Sequence, residues 1–191
     1  MSSLQKAKDY VEILFKDKLS SEKFYHNFIH TTYTVNKAEE IMRNTPVSGD
    51  DQEKVLLALW FHDVVYLPKA HDNEEQSAVL AQKRLSQTGL DTDEIERIAK
   101  YILATKAHQN IVGDTDLDFL LDIDLAILAS PKLRFEEYEQ QIRQEYSWVA
   151  EDIYQQKRQQ VLQGFYQQQR LYQTDYFYQR LESRAKGNLR E

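Results

Sequence analysis

Apolar residues recur at three- and four-residue intervals along most of this chain, the spacing of one face of an α-helix. Leu4, Ala7, Val11, Leu14 and Phe15 mark a first amphipathic helix from Leu4 to Lys16. Ser20 or Ser21 stands where a cap is expected for a second, from about Glu22 to Arg43, carrying Tyr25, His26, Asn27 and His30. Thr45 to Asp50, with Pro46 and Gly49, form a break. The next run differs in kind: Leu56, Leu57, Leu59, Trp60 and Phe61 leave no polar face and end in His62-Asp63.

Leu67 to Asn73 read as a loop, with Asp72 or Asn73 capping a helix from Glu74 to about Gln87. Thr88-Gly89 stops it, and Asp91 or Thr92 caps another from Asp93 to Lys106. His108 to Thr115 is turn-like, and Asp116 to Leu128 is an apolar helix interrupted by Asp122 and Asp124 and ended by Ser130-Pro131. Leu133 to about Lys186 predicts two or three long helices, with Ile142, Val149, Ile153, Val161, Leu162 and Phe165 as their buried stripe and a Gln-rich face toward solvent. No alternating strand pattern, repeat or linker interrupts the series. The expected fold is all-α: one compact bundle over residues 1–191, its core at about 22–130 and its long C-terminal helices at about 132–187.

Composition supports this picture, since 5 Gly and 3 Pro in 191 residues leave few helix breakers. The absence of cysteine excludes disulfides, thiolate zinc sites and thiol nucleophiles, and fits a reducing cytoplasm. A formal net charge of −7 argues against binding duplex nucleic acid. No apolar run reaches the ~18 residues that would span a membrane, and the N-terminus lacks a signal-peptide core.

The candidate chemistry starts at His62-Asp63, because a buried imidazole and carboxylate need partners. His26 and His30, four apart, are expected to share a helix face, and Asp122 and Asp124 sit in an otherwise apolar run where a carboxylate needs a partner or a metal. One such His, the His-Asp doublet and one such Asp form a mixed N/O donor set suited to a divalent ion: Mn, Fe, Zn, Ni or Mg.

Phe61-His62-Asp63, between an upstream helical His and a downstream Asp followed by Leu, resembles the HD superfamily of metal-dependent phosphohydrolases. Tyr25-His26-Asn27-Phe28-Ile29-His30, Phe61 to Tyr66, Asp72 to Ala78, Ala104 to His108 and Asp122 to Leu128 further resemble a small bacterial family of predicted metal-dependent HD phosphohydrolases. Ala185 to Leu189 resembles that family's end, so the resemblance covers nearly the whole chain. It implies metal ligands at His30, His62, Asp63 and Asp124, and hydrolysis of a small phosphoester, a nucleotide among the options, by a metal-activated water. Asp63 would also orient that water. Lys106 and His108 are expected to meet the phosphate or leaving group, and Glu74 to act as acid/base or to neutralise a cation. Tyr25, His26, Asn27 and Tyr66 are expected to orient ligands or face the substrate.

Two departures narrow the substrate. Tyr66 occupies the position where some HD nucleotidases carry a catalytic Glu, and the His-His pair of cyclic-dinucleotide phosphodiesterases is missing. The rival readings are a non-catalytic sensor that binds a nucleotide-like anion at the metal, and a di-iron oxygenase using His108 with His26 or His71. Either a monomer or a homodimer is compatible with the Tyr-rich C-terminal helices.

Overall fold

The computed structural model describes residues 2–17, 23–45, 51–110 and 113–190. Among them are nine α-helices, one 3-10 turn and no strand. The all-helical expectation is met. The expected Ser20 or Ser21 cap and the break over 46–50 lie outside the described residues.

Helix α1 (Ser3–Asp17) buries Ala7, Val11 and Phe15 of its predicted stripe. Helix α3 (Gln52–Phe61) is the hub: all residues from Val55 to Phe61 are buried, because it packs against α1, α2 (Phe28–Asn44), α4 (Asn73–Leu85), α5 (Thr92–Ala104) and α6 (Thr115–Asp124). A helix apolar on every side has to sit inside other helices. Its sequence fixed its place before any contact was known.

Local chemistry sets where the helices begin. Asp91 and Glu94 form a reciprocal capping box at the start of α5. At α4, Asp72 takes the cap position without a side-chain bond, while Asn73 turns back to Leu67, accepting from its N–H at 2.9 Å and donating to its carbonyl at 3.1 Å. Helix α2 starts later than the periodicity predicts. The Asn27 side chain accepts from the N–H groups of Ile29 and His30, so the helix begins at Phe28 and His26 lies ahead of it. His26 and His30 therefore do not share a helix face.

Helix α6 gives way at Leu125–Ala129 to the 3-10 turn. Three helices follow: α7 (Lys132–Glu145), α8 (Glu151–Gln167) and α9 (Asp175–Asn188). The predicted buried stripe holds for Ile142 and fails further on. Ile153 and Val161 are about half exposed at 51% and 48%, Val149, Leu162 and Phe165 are partly buried, and Tyr154 is the buried residue of α8. The reason is that α8 lies over a cavity instead of the core, its inward residues Tyr154, Arg158, Val161 and Phe165 forming part of the cavity wall. No helix among the described residues is long and apolar enough to cross a membrane.

Asp122 resolves one ambiguity of the sequence. It is buried, and its carboxylate accepts from the N–H groups of Gln173 and Thr174, both at 2.7 Å, and from the Thr174 hydroxyl at 2.6 Å, clamping α6 to the start of α9. Alanine there strands these donors. The expected loss is about 2–3 kcal/mol in urea unfolding, with His30, His62 and Asp124 untouched. A change below about 0.5 kcal/mol, the range of ordinary surface substitutions, would show the clamp to be idle.

Candidate metal centre

Three helix ends bring four side chains together, and three of them, His30, His62 and Asp124, close around one point. The Asn27 cap places His30 in the first turn of α2. His62 is the residue that closes α3, and Asp63 follows in a turn held by the fully buried Ser77, whose hydroxyl accepts from the Val65 N–H at 3.0 Å and donates to the Val65 carbonyl at 3.2 Å. Asp124 ends α6, and the turn after it is fixed from α9 and the segment before it. Tyr172 donates to the Leu125 carbonyl at 3.0 Å, Asn188 donates to the Leu128 and Ser130 carbonyls at 2.9 and 3.0 Å, and Arg184 donates to the Ala129 carbonyl.

The donors converge. One ligand atom from each of His30, His62 and Asp124 lies within 4.8 Å of the others. His62 Nε2 is 3.0 Å from Asp63 Oδ2 and 3.3 Å from Asp124 Oδ1, and His30 Nε2 is 3.6 and 3.9 Å from the same two oxygens. Asp63 thus joins from one side, touching both imidazoles. Both Nε2 atoms are buried and make no hydrogen bond.

The tautomer of His62 explains why this matters. Its Nδ1 lies 2.8 Å from the Leu59 carbonyl, an acceptor that can only be met by an N–H. In the neutral ring Nε2 then bears a lone pair and faces carboxylate lone pairs, which is repulsive without a positive charge between them. Burial opposes charging of His62, yet Asp63 and Asp124 outweigh it and raise its pKa well above the usual histidine value. Burial likewise works against the charged forms of Asp63 and Asp124, but His62 outweighs it and holds both below the usual carboxylate range. Burial pushes His30 down to about 4, so its ring is neutral and free to donate a lone pair. The residues fit a divalent cation, which would take the place of the proton that Asp63 and Asp124 hold on His62: two imidazole nitrogens and two ionised carboxylates, with no other hydrogen-bond partner for either Nε2.

Around this centre the predicted residues divide. His108 comes to it: its Nε2 is 3.0 Å from Asp124 Oδ2, the oxygen turned away from His62. Its backbone is left-handed at φ 49°, and its N–H closes the end of α5 on the Ala104 carbonyl at 3.0 Å, a helix-ending turn that sends the ring inward. Tyr25 is buried with its ring 4.4 Å from that of His30, and Tyr66 stacks on His26 at 3.7 Å. Glu74 and Lys106 line the same cavity, but Lys106 is tied up, donating to Glu75 at 2.5 Å and to the His71 carbonyl at 2.7 Å, with Glu74 at 3.9 Å. Its ammonium is thus shared with Glu75 and a loop carbonyl while it lines the cavity. His71 is exposed and lies outside the cavity lining, while His26 lines the cavity, bound through Nδ1 to Glu145 at 2.7 Å and keeping Nε2 as its other ring nitrogen.

Three contributors escaped the sequence reading. Glu145, buried at the end of α7, also accepts from the N–H groups of Tyr25 and His26 at 2.7 and 2.9 Å, which makes it the anchor of the strand of chain entering α2. Arg158 reaches down from α8 to a two-point pair with Glu139 at 2.5 and 3.0 Å and to the Tyr138 hydroxyl at 2.9 Å. Lys157 lines the cavity and makes no ion pair among the described residues. In sequence, each sits among many similar Glu, Lys and Arg residues of the polar C-terminal helices, and no spacing distinguishes it.

The cavity above the centre measures about 420 Å³, enough for a small metabolite. Its floor is His30, Asp63 and Asp124, and its walls combine His26, His108, Lys157 and Arg158 with the rings of Tyr66, Tyr138 and Tyr146. No family model, curated protein or solved structure matches the chain.

Proposed function

We propose that the protein is a metal-dependent phosphohydrolase of the HD type acting on a small phosphoester. The observation that carries this reading is the pair of buried imidazole Nε2 atoms, without hydrogen bonds, facing two carboxylates, where His30, Asp63 and Asp124 form the floor of a cavity lined by cations and His62 lies just beneath it. His30, His62, Asp63 and Asp124 would hold the ion. When bound, a divalent ion of this kind supplies Lewis acidity and a water acidified toward pKa ~7.

The chain's own residues do the rest. His108 steadies Asp124 through its second oxygen. His26, its Nδ1 taken by Glu145, keeps Nε2 as the ring atom available to carry a proton at the cavity wall. Lys157 meets the phosphoryl oxygens, and Arg158, fixed by Glu139 and Tyr138, adds fixed positive charge behind it. Tyr66, Tyr138 and Tyr146 give the organic part of the substrate rings to lie against.

The test is a phosphomonoester screen on protein loaded separately with Mn²⁺, Fe²⁺, Zn²⁺, Ni²⁺ and Mg²⁺. Metal-dependent release of phosphate is the expected result. Lys157→Ala should raise KM about tenfold, the loss of one charge-assisted contact, with kcat changed much less. No turnover with any metal, together with tight binding of a nucleotide, would move the protein to the sensor class. An unchanged KM in Lys157→Ala would remove that residue from the phosphate site.

A further inference from the structure

Behind the metal centre lies a second cavity, of about 450 Å³, between α2, the 3-10 turn and α9. Tyr25, His30, Asp124 and Ile127 line both cavities, so the ligand cluster is the wall between them. Asp63, His26 and His108 line the first cavity and not the second.

Its chemistry is of two kinds. The interior is apolar, with Ile41, Ile123, Ala126, Phe177 and Leu181, and the mouth carries Ile29 and Tyr33, exposed at 78% and 66%. Set into these walls are Lys37, Arg134, Arg180 and Arg184, against a single lining carboxylate, that of Asp124. Lys37 and Arg134 have acidic neighbours, Glu40 at 2.8 Å and Glu137 at 3.7 Å. Arg180 and Arg184 make no ion pair among the described residues. Arg180 lies over the Tyr176 ring at 4.1 Å and donates to the Tyr176 carbonyl at 3.2 Å, and Arg184 donates to the Ala129 carbonyl. Each guanidinium has five N–H donors, so most of them remain for a ligand.

Arg180 and Arg184 are exposed, so the cavity opens to solvent beside them; in a chain of net charge −7, a partly open apolar space with this excess of positive charge favours an anion. A bare inorganic anion would leave the apolar walls facing water, and an uncharged apolar molecule would gain nothing from the guanidiniums. We propose that this cavity is a second binding site, for a small organic anion with an apolar body: a carboxylate, sulfonate or phosphate head on an aryl or acyl group. The head pairs with Arg180 and Arg184, and the body fills the space behind His30 and Asp124. The site is distinct from the one that binds the phosphoester.

The probe is 8-anilinonaphthalene-1-sulfonate, an aryl anion whose fluorescence rises on leaving water, titrated into the full-length protein both stripped of metal and loaded. Saturable binding is expected, weakened at least tenfold in Arg180→Ala/Arg184→Ala and unchanged in Lys157→Ala. N-phenyl-1-naphthylamine, which has the same rings without the sulfonate, should bind wild type at least tenfold more weakly and ignore the arginine substitutions. Arg180→Ala alone, whose one protein bond lies within its own helix, should also weaken the sulfonate and guards against a folding defect in the double variant. The proposal is overturned if wild type shows no saturable binding, if both arginine variants bind the sulfonate as wild type does, if Lys157→Ala removes binding, or if the uncharged probe binds equally well. Binding in the metal-free protein needs neither a metal nor turnover, so this site and the phosphohydrolase reading fail separately.

Discussion

Asp124→Ala is expected to lose both the divalent ion and all metal-dependent turnover while keeping its helical fold. For wild type, an ion at a hundred times its Kd stabilises by about 2.7 kcal/mol, which in a chain of this size raises Tm by about 8 °C. The variant should show no such rise, and elemental analysis after identical purification should find about one ion per wild-type chain and none in the variant. The metal-free proteins should differ far less. Removing Asp124 takes a negative charge away from Asp63 and leaves His62 beside one carboxylate instead of two, so lost pairing is offset by relieved crowding. On the proposed reading, that asymmetry would mark a site built for a ligand and not for stability. A wild type that gains nothing from Mn²⁺, Fe²⁺, Zn²⁺, Ni²⁺ or Mg²⁺, or a variant that gains as much, would end the metal-centre proposal.

The second large effect belongs to Glu145 and is one of stability. Alanine there leaves the Tyr25 and His26 N–H groups and the His26 ring without their acceptor. Breaking a buried, hydrogen-bonded charge costs about 3–5 kcal/mol, so Tm should fall by about 10 °C. Glu145→Gln keeps a carbonyl for the backbone donors and should lose about half as much. The pH dependence has a definite sign. Burial pushes the Glu145 carboxyl up, but the His26 side chain and the two backbone N–H groups outweigh it and hold the pKa below the usual value. A carboxyl whose folded pKa lies below its unfolded one, about 4.3, stabilises fully above that pH. The contribution disappears as pH falls through the folded value. Wild type and Glu145→Gln should therefore differ most near neutrality and converge only once pH falls below the folded value, which lies under the unfolded one. A gap that persists in acid would mean that shape, not charge, holds this segment.

What the sequence made legible, and what it hid, divides along physical lines. The continuous apolar run of α3 could only be a central helix, and the His-Asp pair at its end needed partners, which it finds in each other, His30 and Asp124. Asp91 with Glu94 announced the start of α5. Asp122 and Asp124 looked alike because both interrupt one apolar run, yet two residues on a helix point about 200° apart. One accordingly faces α9 and the other faces the imidazoles. The start of α2 was misplaced because Tyr25 and His26 fit the apolar rhythm, while the Asn27 cap, a single polar side chain, decides the outcome. Periodicity also failed in α8, where an apolar stripe faces a cavity and not a core. Glu145 lay beyond reach for another reason: its partners are 120 and 119 residues away, and nothing local separates it from the other acids of α7.

The clamp on the turn after Asp124 has a consequence in time. A ribosome delivers His30, His62, Asp63 and Asp124 first, and only afterwards Tyr172, Thr174, Arg184 and Asn188, the groups that grip Asp122 and the 125–130 backbone. On the proposed reading, a growing or prematurely ended chain already owns every donor atom but lacks the brace that aims the last of them. Metal uptake would then report that translation has passed α9, and products cut short before it would stay empty.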